Sequence, residues 1–428
     1  MCGIIGYVGK KHAVPILMEG LKKLEYRGYD SSGVGVVSLD KSSLVIRKTK
    51  GKICNLEKLI ATRPIPQSHI GISHTRWATH GEPNQVNSHP HTDCSKNFVI
   101  VHNGIIENYE ELKGSLQKKG HRFSSHTDTE VIVHLIEDYY KGDLFKAVQK
   151  TLKKLRGAFA LGILAKDHPD LLITARVGSP LIIGVGCGEN FIASDVPAIL
   201  DRTKNIIYLK DGEMACITAD AISVTNFEGK KVSTKVVKVN FDVAAVQKQG
   251  YAHFMLKEMH EQPDVMTQMI KTHLKGNKIH LDGGRFSDKY VKSIKKIFIV
   301  ACGTAYHAGM VGKYLIEKFA SVPVSIDVSS EFRYRDPIVD AQTMIIAISQ
   351  SGETADTLAA VREAKKRGAK IVSICNVVGS SLVRESDEVL YTHAGPEIGV
   401  ASTKAYTAQV AMLYLLSLKF SQVVNGLS

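Results

Sequence analysis

The residue with the most unusual position for chemistry is Cys2. Removal of Met1, which a small second residue favours, would leave a chain terminus with a thiol and a free α-amine on one carbon. An α-amine has a pKa of about 8, so it can serve as general base for the thiol at neutral pH. A nucleophile with its own base needs no histidine partner. Taken alone, a cysteine after the first methionine is more simply read as having no function.

A second reactive segment is His74–Gly81. Its eight residues hold an arginine, two histidines, two threonines and Trp77, the only tryptophan of the chain. The strand-like run Ile70–Ser73 precedes it, and a polar loop after a strand is the plainer interpretation. This segment is, however, one of several that accompany Cys2.

Two more segments offer groups for an acyl-transfer site. His102-Asn103-Gly104 follows the strand-like run Phe98–Val101, where Asn-Gly usually forms a tight turn. The same residues could aim an amide and a backbone N–H at one point, as an oxyanion hole requires. Thr127–Glu130 is typical of a helix start, and it leaves Asp128 available as an anionic anchor.

The order and spacing of five motifs resemble the class II glutamine amidotransferases, which use an N-terminal nucleophile. The motifs are Cys2–Gly6, Leu24–Gly33, His74–Gly81, His102–Tyr109 and Thr127–Glu130. The resemblance implies that Cys2 attacks the carboxamide of glutamine, forms a thioester and releases ammonia. It also implies an N-terminal-nucleophile α/β sandwich.

The resemblance further assigns roles to the remaining motif residues. Arg76 is expected to pair with the α-carboxylate of glutamine and Asp128 with its α-ammonium. Arg27 is expected to help order the active-site loop. Asn103 and Gly104 are expected to form the oxyanion hole, and Thr79 and His80 to line the same pocket. Trp77 is expected to gate the passage of ammonia.

A separate anion site is predicted in the second half of the chain. Ser349-Gln350-Ser351-Gly352-Glu353-Thr354 lies where a strand ends and a helix begins, so backbone N–H groups and hydroxyls converge there. Cys302-Gly303-Thr304 occupies the same place after the preceding strand of the pattern. A hydroxyl-rich helix cap is the plainer interpretation of either segment.

Four motifs of the second half resemble the sugar isomerase domain: Val300–Thr304, Ser330–Tyr334, Ser349–Thr354 and Val400–Ala405. Ala305 stands where that family often has serine, which removes one possible hydroxyl contact. The residues that the resemblance assigns to a sugar phosphate are Cys302, Gly303, Thr304, Ser349, Gln350, Ser351, Thr354, Val400 and Ser402.

In this order, the two halves resemble the family of glutamine–fructose-6-phosphate aminotransferases (isomerizing). The implied reaction converts glutamine and fructose 6-phosphate to glutamate and glucosamine 6-phosphate. Members of that family continue into a second sugar isomerase unit with the acid–base residues of isomerisation, whereas this sequence ends at Ser428. We therefore expect glutamine hydrolysis and partial sugar-phosphate binding, with little or no glucosamine 6-phosphate formed.

Two other functions stay open at this point. Another class II amidotransferase, such as one acting on phosphoribosyl pyrophosphate, would need an acidic pyrophosphate-binding signature in the second half, and none is visible. A sugar-phosphate-sensing protein would use the second domain for binding only. Cys2 and its accompanying loops favour an enzyme.

The elements that must position these residues follow two patterns. Up to about residue 240, short apolar runs alternate with helical segments such as Glu107–Lys119 and Thr129–Tyr140, which predicts a mixed α/β sandwich. From Lys296 onward, near-continuous apolar strands alternate with helices, which predicts a doubly wound parallel sheet. We expect an amidotransferase domain over 2–240, a connector over 241–290 and a first sugar isomerase domain over 291–428.

Composition excludes several other classes of protein. The net charge is +13, but the lysines are dispersed and no nucleic-acid-binding motif accompanies them. The seven cysteines show no CxxC and no paired Cys/His spacing, so we expect no disulfide framework, no metal and no organic cofactor. No signal peptide and no apolar stretch of about 20 residues is visible. We expect a cytoplasmic protein, without a membrane partner, and a homodimer by family resemblance.

Overall fold

The computed structural model describes residues 2–40, 43–239, 248–276, 278–281 and 288–425. The chain divides into two compact units, Met1–Val243 and Ala244–Ser428. The expected fold class is confirmed: a mixed α/β sandwich is followed by a doubly wound parallel sheet.

The described residues of the first unit form two antiparallel sheets and five α-helices. Its strands are β1 (Gly3–Gly9), β2 (Ser31–Val37), β3 (Leu44–Lys50), β4 (Ile70–Arg76), β5 (His91–Thr92), β6 (Phe98–Ile106), β7 (Gly157–Ala165), β8 (His168–Val177), β9 (Ile182–Val185), β10 (Glu189–Ala193), β11 (Asn205–Tyr208), β12 (Glu213–Ile217), β13 (Ile222–Asn226) and β14 (Val237–Lys238). Its α-helices are α1 (Ala13–Lys22), α2 (Ile53–Thr62), α3 (Tyr109–Lys118), α4 (Glu130–Tyr139) and α5 (Leu144–Leu152).

The two sheets of this unit face each other. Their strand orders are β14-β11-β9-β10-β1-β4-β2-β3 and β13-β12-β8-β7-β6-β5. Apolar side chains from both sheets, such as Ile72 and Ile192 of the first and Val101 and Leu164 of the second, form the core between them. The central strand β1 is buried along its whole length, so nearly every side chain there must be apolar or small.

Helices cover the outer faces of the sandwich. On α5, Leu144, Ala147, Val148 and Leu152 follow helical spacing and pack with α4 against the second sheet. The helix begins where the Asp143 carboxylate accepts the backbone N–H of Lys146 at 3.0 Å, which satisfies one of the free N–H groups of its first turn.

The second unit has a five-stranded parallel sheet. Its elements are α6 (Phe254–His260), α7 (Gln262–His273), β15 (Leu274–Lys275), β16 (Lys278–Ile279), α8 (Asp288–Ser293), β17 (Lys296–Ala301), α9 (Gly303–Ala320), β18 (Val324–Val328), α10 (Ser329–Tyr334), β19 (Thr343–Ser349), α11 (Ala355–Lys366), β20 (Lys370–Cys375), α12 (Ser381–Glu385), β21 (Glu388–Tyr391) and α13 (Lys404–Asn425). The strand order is β18-β17-β19-β20-β21. The chain leaves β17 toward β18 on one side and then returns to β19 on the other, so the topological switch point lies between β17 and β19.

One described helix, α13, is long and apolar enough to cross a membrane by length and composition, contrary to the expectation from the sequence. Ala408, Met412, Leu416 and Phe420, spaced four residues apart, are fully buried in the core of the second unit. Packing against the neighbouring elements therefore accounts for the apolar composition of this helix.

Two local predictions from the sequence were wrong. His74-Thr75-Arg76 belongs to strand β4 rather than to a loop, and His102-Asn103-Gly104 belongs to β6 rather than to a tight turn. In both cases, pairing with a neighbouring strand outweighs the local preference for a turn. The residues predicted as a connector include the helices α6 and α7.

We predict that Gly162 and Ile192 are energetically coupled across the two sheets. A Cβ at Gly162 would lie 2.9 Å from Ile192 Cδ1, so Gly162→Ala should destabilise the unit by about 1–3 kcal/mol. Ile192→Val removes that methyl group and alone should cost about 1 kcal/mol. The double variant should be more stable than the sum of the two losses implies.

Denaturant unfolding followed by tryptophan fluorescence measures this, because the only tryptophan of the chain lies in the first unit. Strict additivity of the two free-energy changes would contradict the packing described here.

Candidate active site

The Cys2 thiol lies against the peptide group of Trp77. The Trp77 N–H donates to Cys2 Sγ at 3.2 Å, and Sγ lies 3.3 Å from the Trp77 carbonyl oxygen. The antiparallel register of β1 and β4 causes this, since Gly3 is paired with Thr75. Burial raises the pKa of the Cys2 thiol, while the Trp77 N–H and the positive charges of Arg76 and Arg27 oppose the increase.

The carbonyl oxygen of Cys2 is held by two side chains. Arg27 Nε donates to it at 3.1 Å and Asn103 Nδ2 at 3.0 Å. Arg27 is itself buried, and its Nη1 pairs with Asp195 Oδ2 at 3.2 Å. Tyr26 donates its hydroxyl hydrogen to the same carboxylate oxygen. The backbone of Cys2 is therefore fixed from two directions.

The amide of Asn103 has a single orientation. Its Nδ2 also donates to Ser194 Oγ at 2.9 Å, and its Oδ1 accepts from His74 Nε2 at 3.0 Å. His74 Nε2 lies 3.0 Å from the His102 carbonyl oxygen as well. Because both neighbours of this nitrogen are acceptors, Nε2 carries the proton of the neutral ring.

Gly104 follows Asn103 in a backbone conformation that only glycine adopts easily. Its φ is +128°, and a Cβ there would lie 2.0 Å from the Ala158 carbonyl oxygen on the paired strand β7. Any side chain would thus collide with backbone. Strand pairing places Gly104 next to the oriented amide of Asn103.

Arg76 is the last residue of β4, and one nitrogen of its guanidinium group has no hydrogen-bond partner among the described residues. Nη2 donates to the carbonyl oxygens of His80 and Gly81. Nη1 is buried without a hydrogen-bond partner among the described residues. Burial lowers the pKa of this guanidinium, and the charges of Cys2, Asp128 and Asp30 act against the decrease. A buried unpaired N–H of this kind costs about 1–3 kcal/mol or more, so it is a suitable donor for an incoming anion.

Asp128 precedes α4 and is held by one hydrogen bond, in which its Oδ2 accepts the Ile106 N–H at 2.8 Å. This interaction joins the helix start to the end of β6. The carboxylate is 4% exposed. Its charge acts on Arg76, so the two residues expected to hold opposite ends of glutamine share one electrostatic environment.

The side chains of three other predicted residues, Thr79, His80 and Trp77, make no hydrogen bond to the thiol in the part of the chain that the structure describes. His80 Nδ1 is 3.4 Å from Thr79 Oγ1, and the imidazole packs edge-on against Tyr109. The Trp77 indole is 41% exposed and meets Tyr29 edge-on, with ring centroids 5.6 Å apart. The peptide group of Trp77, rather than its ring, contacts Cys2.

Four buried histidines lie close together near Asn103. The sequence analysis did not predict that they form a cluster. His74 stacks on His89, with ring centroids 4.1 Å apart, and His89 meets His91 edge-on at 4.8 Å. His102 Nδ1 is 2.9 Å from the Thr129 hydroxyl. Burial lowers the pKa of all four, that of His74 to about 3, so the rings stay neutral near pH 7.

In the second unit, the predicted anion-binding residues meet at the switch point. Ala301 of β17 is paired in register with Ile348 of β19, so Cys302 and Ser349 follow adjacent strand ends. Both strands lead into helices, α9 from Gly303 and α11 from Ala355. The crevice beyond such strand ends is the usual ligand position in doubly wound sheets.

The turn from Ser349 to Thr354 is shaped by its own hydroxyl groups. Ser349 Oγ accepts the Gly352 N–H at 3.0 Å and lies 3.1 Å from Thr354 Oγ1. Ser351 Oγ accepts the Glu353 N–H at 3.2 Å. Gly352 has a φ of +65°, which lets the chain curl back toward Ser349.

The two remaining predicted sugar contacts lie on another segment. The Ser402 hydroxyl donates to Glu397 Oε2 at 2.9 Å, and Val400 is 65% exposed. Glu397 also accepts the backbone N–H groups of Thr403 and Ala405, so it caps the start of α13. The hydroxyl of Ser402 is thus engaged in a helix cap and is not bonded to the Ser349 turn.

Comparisons with known proteins identify the same two types of domain. A glutamine amidotransferase domain model matches residues 74–201 and a SIS domain model matches residues 290–419. A glutamine–fructose-6-phosphate aminotransferase (isomerizing) from Caldanaerobacter subterraneus subsp. tengcongensis is 53% identical over 98% of this chain and 69% of the relative. One from Aquifex aeolicus is 52% identical over 99% of this chain and 70% of the relative.

The chain belongs to this family. Among solved structures, the C-terminal domain of the enzyme from Francisella tularensis is 48% identical, covers 42% of this chain and 51% of that chain, and has a TM-score of 0.40. The family assignment rests on the sequence matches, which extend over nearly the whole chain.

Within this family framework, two residues near Cys2 had no role in the sequence analysis. Ser194 Oγ accepts the Ile4 N–H at 2.8 Å besides the amide of Asn103. His74 orients that amide from the other side. His74 lies inside a recognised motif, whereas Ser194 is an ordinary serine after a strand and carries no signal in the sequence.

We predict that the first unit loses stability as the pH falls below about 6.5, the pKa of an unfolded histidine. The four buried histidines have lowered pKa values in the fold, so the unfolded chain binds more protons in this range. Each contributes up to about 1.4 kcal/mol per pH unit. Urea unfolding followed by tryptophan fluorescence between about pH 7.5 and 5 measures the slope.

His91→Gln should reduce this slope by up to about 1.4 kcal/mol per pH unit, since one titrating group is removed. His126→Gln is the matched control, because His126 is exposed and should leave the slope unchanged. A free energy of unfolding that is constant across the range would contradict the neutral state of the cluster.

Proposed function

We propose that this chain hydrolyses glutamine at Cys2 and binds fructose 6-phosphate at the switch point of its second unit. These are two parts of the reaction for which its relatives are named: the transfer of glutamine nitrogen to fructose 6-phosphate. The observation that supports the first part most directly is the convergence of Arg27, Asn103 and the Trp77 peptide on Cys2.

The nucleophilic step uses groups already in contact. With Met1 removed, the α-amine of Cys2 would take the thiol proton, and the thiolate would attack the carboxamide carbon of glutamine. Burial disfavours a free thiolate, so proton transfer to an amine on the same residue is well matched to the site. The ammonium would then return the proton to the departing ammonia, and water would release glutamate from the thioester.

The oxyanion formed in this step requires donors. Asn103 Nδ2 donates one hydrogen to Cys2 O and the other to Ser194 Oγ. We assign the hydrogen directed at Cys2 O to the oxyanion, because the bond to Ser194 can hold the amide in place. The N–H of Gly104 is the second donor in this proposal.

Arg76 and Asp128 are assigned to the charged end of the substrate. The unpartnered Arg76 Nη1 would donate to the α-carboxylate of glutamine, and Asp128 would accept from its α-ammonium. Thr79 and His80 would line this pocket. Trp77, half-exposed beside Tyr29, is assigned to the passage of ammonia.

In the second unit, the phosphate is assigned to Ser349, Ser351 and Thr354 with the start of α11. Hydroxyls and helix N–H groups bind a dianion without a positively charged side chain. The other residues assigned to this sugar phosphate are Cys302, Gly303, Thr304 and Gln350, with Val400 and Ser402 toward the sugar. A homodimer and a cytoplasmic location remain predictions from the family.

We predict that Cys2→Ala abolishes glutaminase activity, with a loss of at least about 10³-fold in kcat. Arg76→Lys should raise KM for glutamine roughly 10–100-fold, since the charged donor at Nη1 that faces the α-carboxylate is lost. Ammonia and glutamate release from glutamine are the measurements. Cys54→Ala is the matched control, because Cys54 is an exposed thiol on α2. Activity that survives Cys2→Ala would reject the nucleophile.

Intact-mass measurement of the purified chain tests the built-in base. The chain should lack Met1, because an amide nitrogen at Cys2 cannot accept the thiol proton. Retained Met1 together with full glutaminase activity would contradict the proposed general base while leaving the nucleophile in place.

We also predict that fructose 6-phosphate binds the chain and that Ser351→Ala weakens its Kd about 10-fold or more, the cost of one hydrogen bond to a charged group. Isothermal titration measures this, with inorganic phosphate as the minimal ligand. Ser293→Ala is the control, since that exposed hydroxyl donates to Tyr290 O. Equal affinities in both variants would place the phosphate elsewhere.

A further inference from the structure

A cluster of four potential metal ligands lies in the first unit and is not used by the proposed glutaminase chemistry. Cys94 comes from the connection between β5 and β6, His121 from the connection between α3 and α4, and His134 and Glu137 from α4. One ligand atom from each lies within 4.8 Å of all the others. His134 and Glu137 are three residues apart, so they lie on the same face of the helix.

The distances between these ligand atoms are close to the edges of a tetrahedron. Cys94 Sγ is 3.7 Å from His134 Nδ1 and 4.0 Å from His121 Nδ1. Glu137 Oε2 is 3.1 Å from His134 Nδ1 and 2.9 Å from His121 Nδ1. A zinc ion bonded to sulfur and nitrogen requires edges of about 3.3–3.6 Å, so these four distances would change by up to about half an ångström. The other two ligand-atom distances are at most 4.8 Å and would shorten by up to about 1.5 Å.

Each imidazole also faces a carboxylate on its other nitrogen. His134 Nε2 is 3.7 Å from Glu130 Oε1, and His121 Nε2 is 3.9 Å from Asp138 Oδ1. Histidines that bind metals usually donate the other ring N–H to such an outer carboxylate, which fixes the ring. Both distances exceed hydrogen-bond length, and His134 Nε2 is buried without a hydrogen-bond partner among the described residues, so each carboxylate would have to move closer by a few tenths of an ångström to act in this way.

The sulfur accepts one backbone hydrogen bond. The Arg122 N–H donates to Cys94 Sγ at 3.3 Å, which opposes but does not outweigh the increase in the thiol pKa caused by partial burial and by the nearby Glu137 and Asp93 carboxylates. Cys94 is exposed, His121 and Glu137 are half-buried and His134 is buried. An ion could reach the cluster from solvent and become enclosed by the protein on the other side.

When no metal ion is bound, hydrogen bonds must keep these four side chains close to one another. Both Nδ1 atoms point at the same carboxylate oxygen of Glu137, so each ring must donate a hydrogen there. A divalent cation at the centre would displace the thiol proton to solvent and would require each neutral ring to carry its proton on Nε2 instead of Nδ1. Thiolate, imidazole and carboxylate together form a donor set that zinc accepts, whereas magnesium and calcium prefer oxygen ligands alone.

We propose that Cys94, His121, His134 and Glu137 form a closed tetrahedral site for Zn²⁺ or a similar divalent transition metal. The ion would link two connecting segments to α4. That helix begins directly after Asp128 and Thr129, so the site would brace the helix start that contributes to the glutamine pocket. With four protein ligands and no open position, its role is structural.

The test uses the full chain, freed of metal by a chelator and then titrated with Zn²⁺ alone. One ion per chain should bind, with proton release, and binding should raise the Tm reported by tryptophan fluorescence. Co²⁺ serves as a spectroscopic substitute. A thiolate-to-cobalt charge-transfer band together with intense d–d bands would identify a tetrahedral site with a sulfur ligand.

Matched variants locate the ion. Cys94→Ser should remove the charge-transfer band and weaken metal binding by about 100-fold or more, and Glu137→Gln should weaken it at least about 10-fold. Cys54→Ser removes another exposed thiol and should change neither the affinity nor the spectrum. Cys2→Ser should also retain the band, which separates this site from the proposed nucleophile.

Two results would overturn the proposal. One is that the wild-type chain binds neither Zn²⁺ nor Co²⁺ at micromolar concentrations, a measurement that does not depend on the folding of any variant. The other is a cobalt band that persists in Cys94→Ser and disappears in Cys2→Ser. Glutaminase activity of the metal-free wild type is measured in parallel, so that failure of this site is distinguished from failure of the proposed enzyme.

Discussion

The antiparallel pairing of β1 with β4 is the constraint on which the first unit depends. Its register sets Gly3 opposite Thr75, and this alone brings Cys2 to the peptide group of Trp77. Both strands are buried throughout, so a shift by one residue would turn apolar side chains away from the core between the sheets. The same packing that stabilises the sandwich therefore positions its thiol.

Around the thiol, stability and chemistry depend on the same buried polar groups. Asn103 is held by Ser194 on one side and His74 on the other, and His74 stays neutral because it is buried near Arg76. Buried polar groups of this kind must be paired, and a fully paired network has little freedom to rearrange. Among the described residues, the buried atoms of this region without a hydrogen-bond partner include His74 Nδ1, His102 Nε2 and the N–H donor Arg76 Nη1. An unsatisfied donor beside a nucleophile indicates where a substrate anion can bind.

The second unit follows a different rule, which is set by topology. Because β17 and β19 are neighbours while the chain between them visits β18, two helices begin at adjacent strand ends and point their N–H groups into one crevice. Hydroxyl side chains at Ser349 and Thr354 then shape the turn. An anion site in this position needs no lysine or arginine. This explains why the site was predicted from the order of strand, turn and helix and not from the pattern of charged residues.

The sequence by itself determined the family and the two fold classes, because these are encoded in short motifs and in apolar periodicity. The same motifs supplied most of the residues that are proposed for the two candidate sites. It assigned His74–Arg76 and His102–Gly104 to a loop and a turn, since strand pairing with distant segments outweighs local preference. Only the tertiary structure brought Ser194 to Asn103 and gathered Cys94, His121 and α4 into one cluster. The expectation of no metal rested on the spacing of cysteines and histidines along the chain. Such spacing cannot detect potential ligands that come together only when two separate connecting segments fold against one helix.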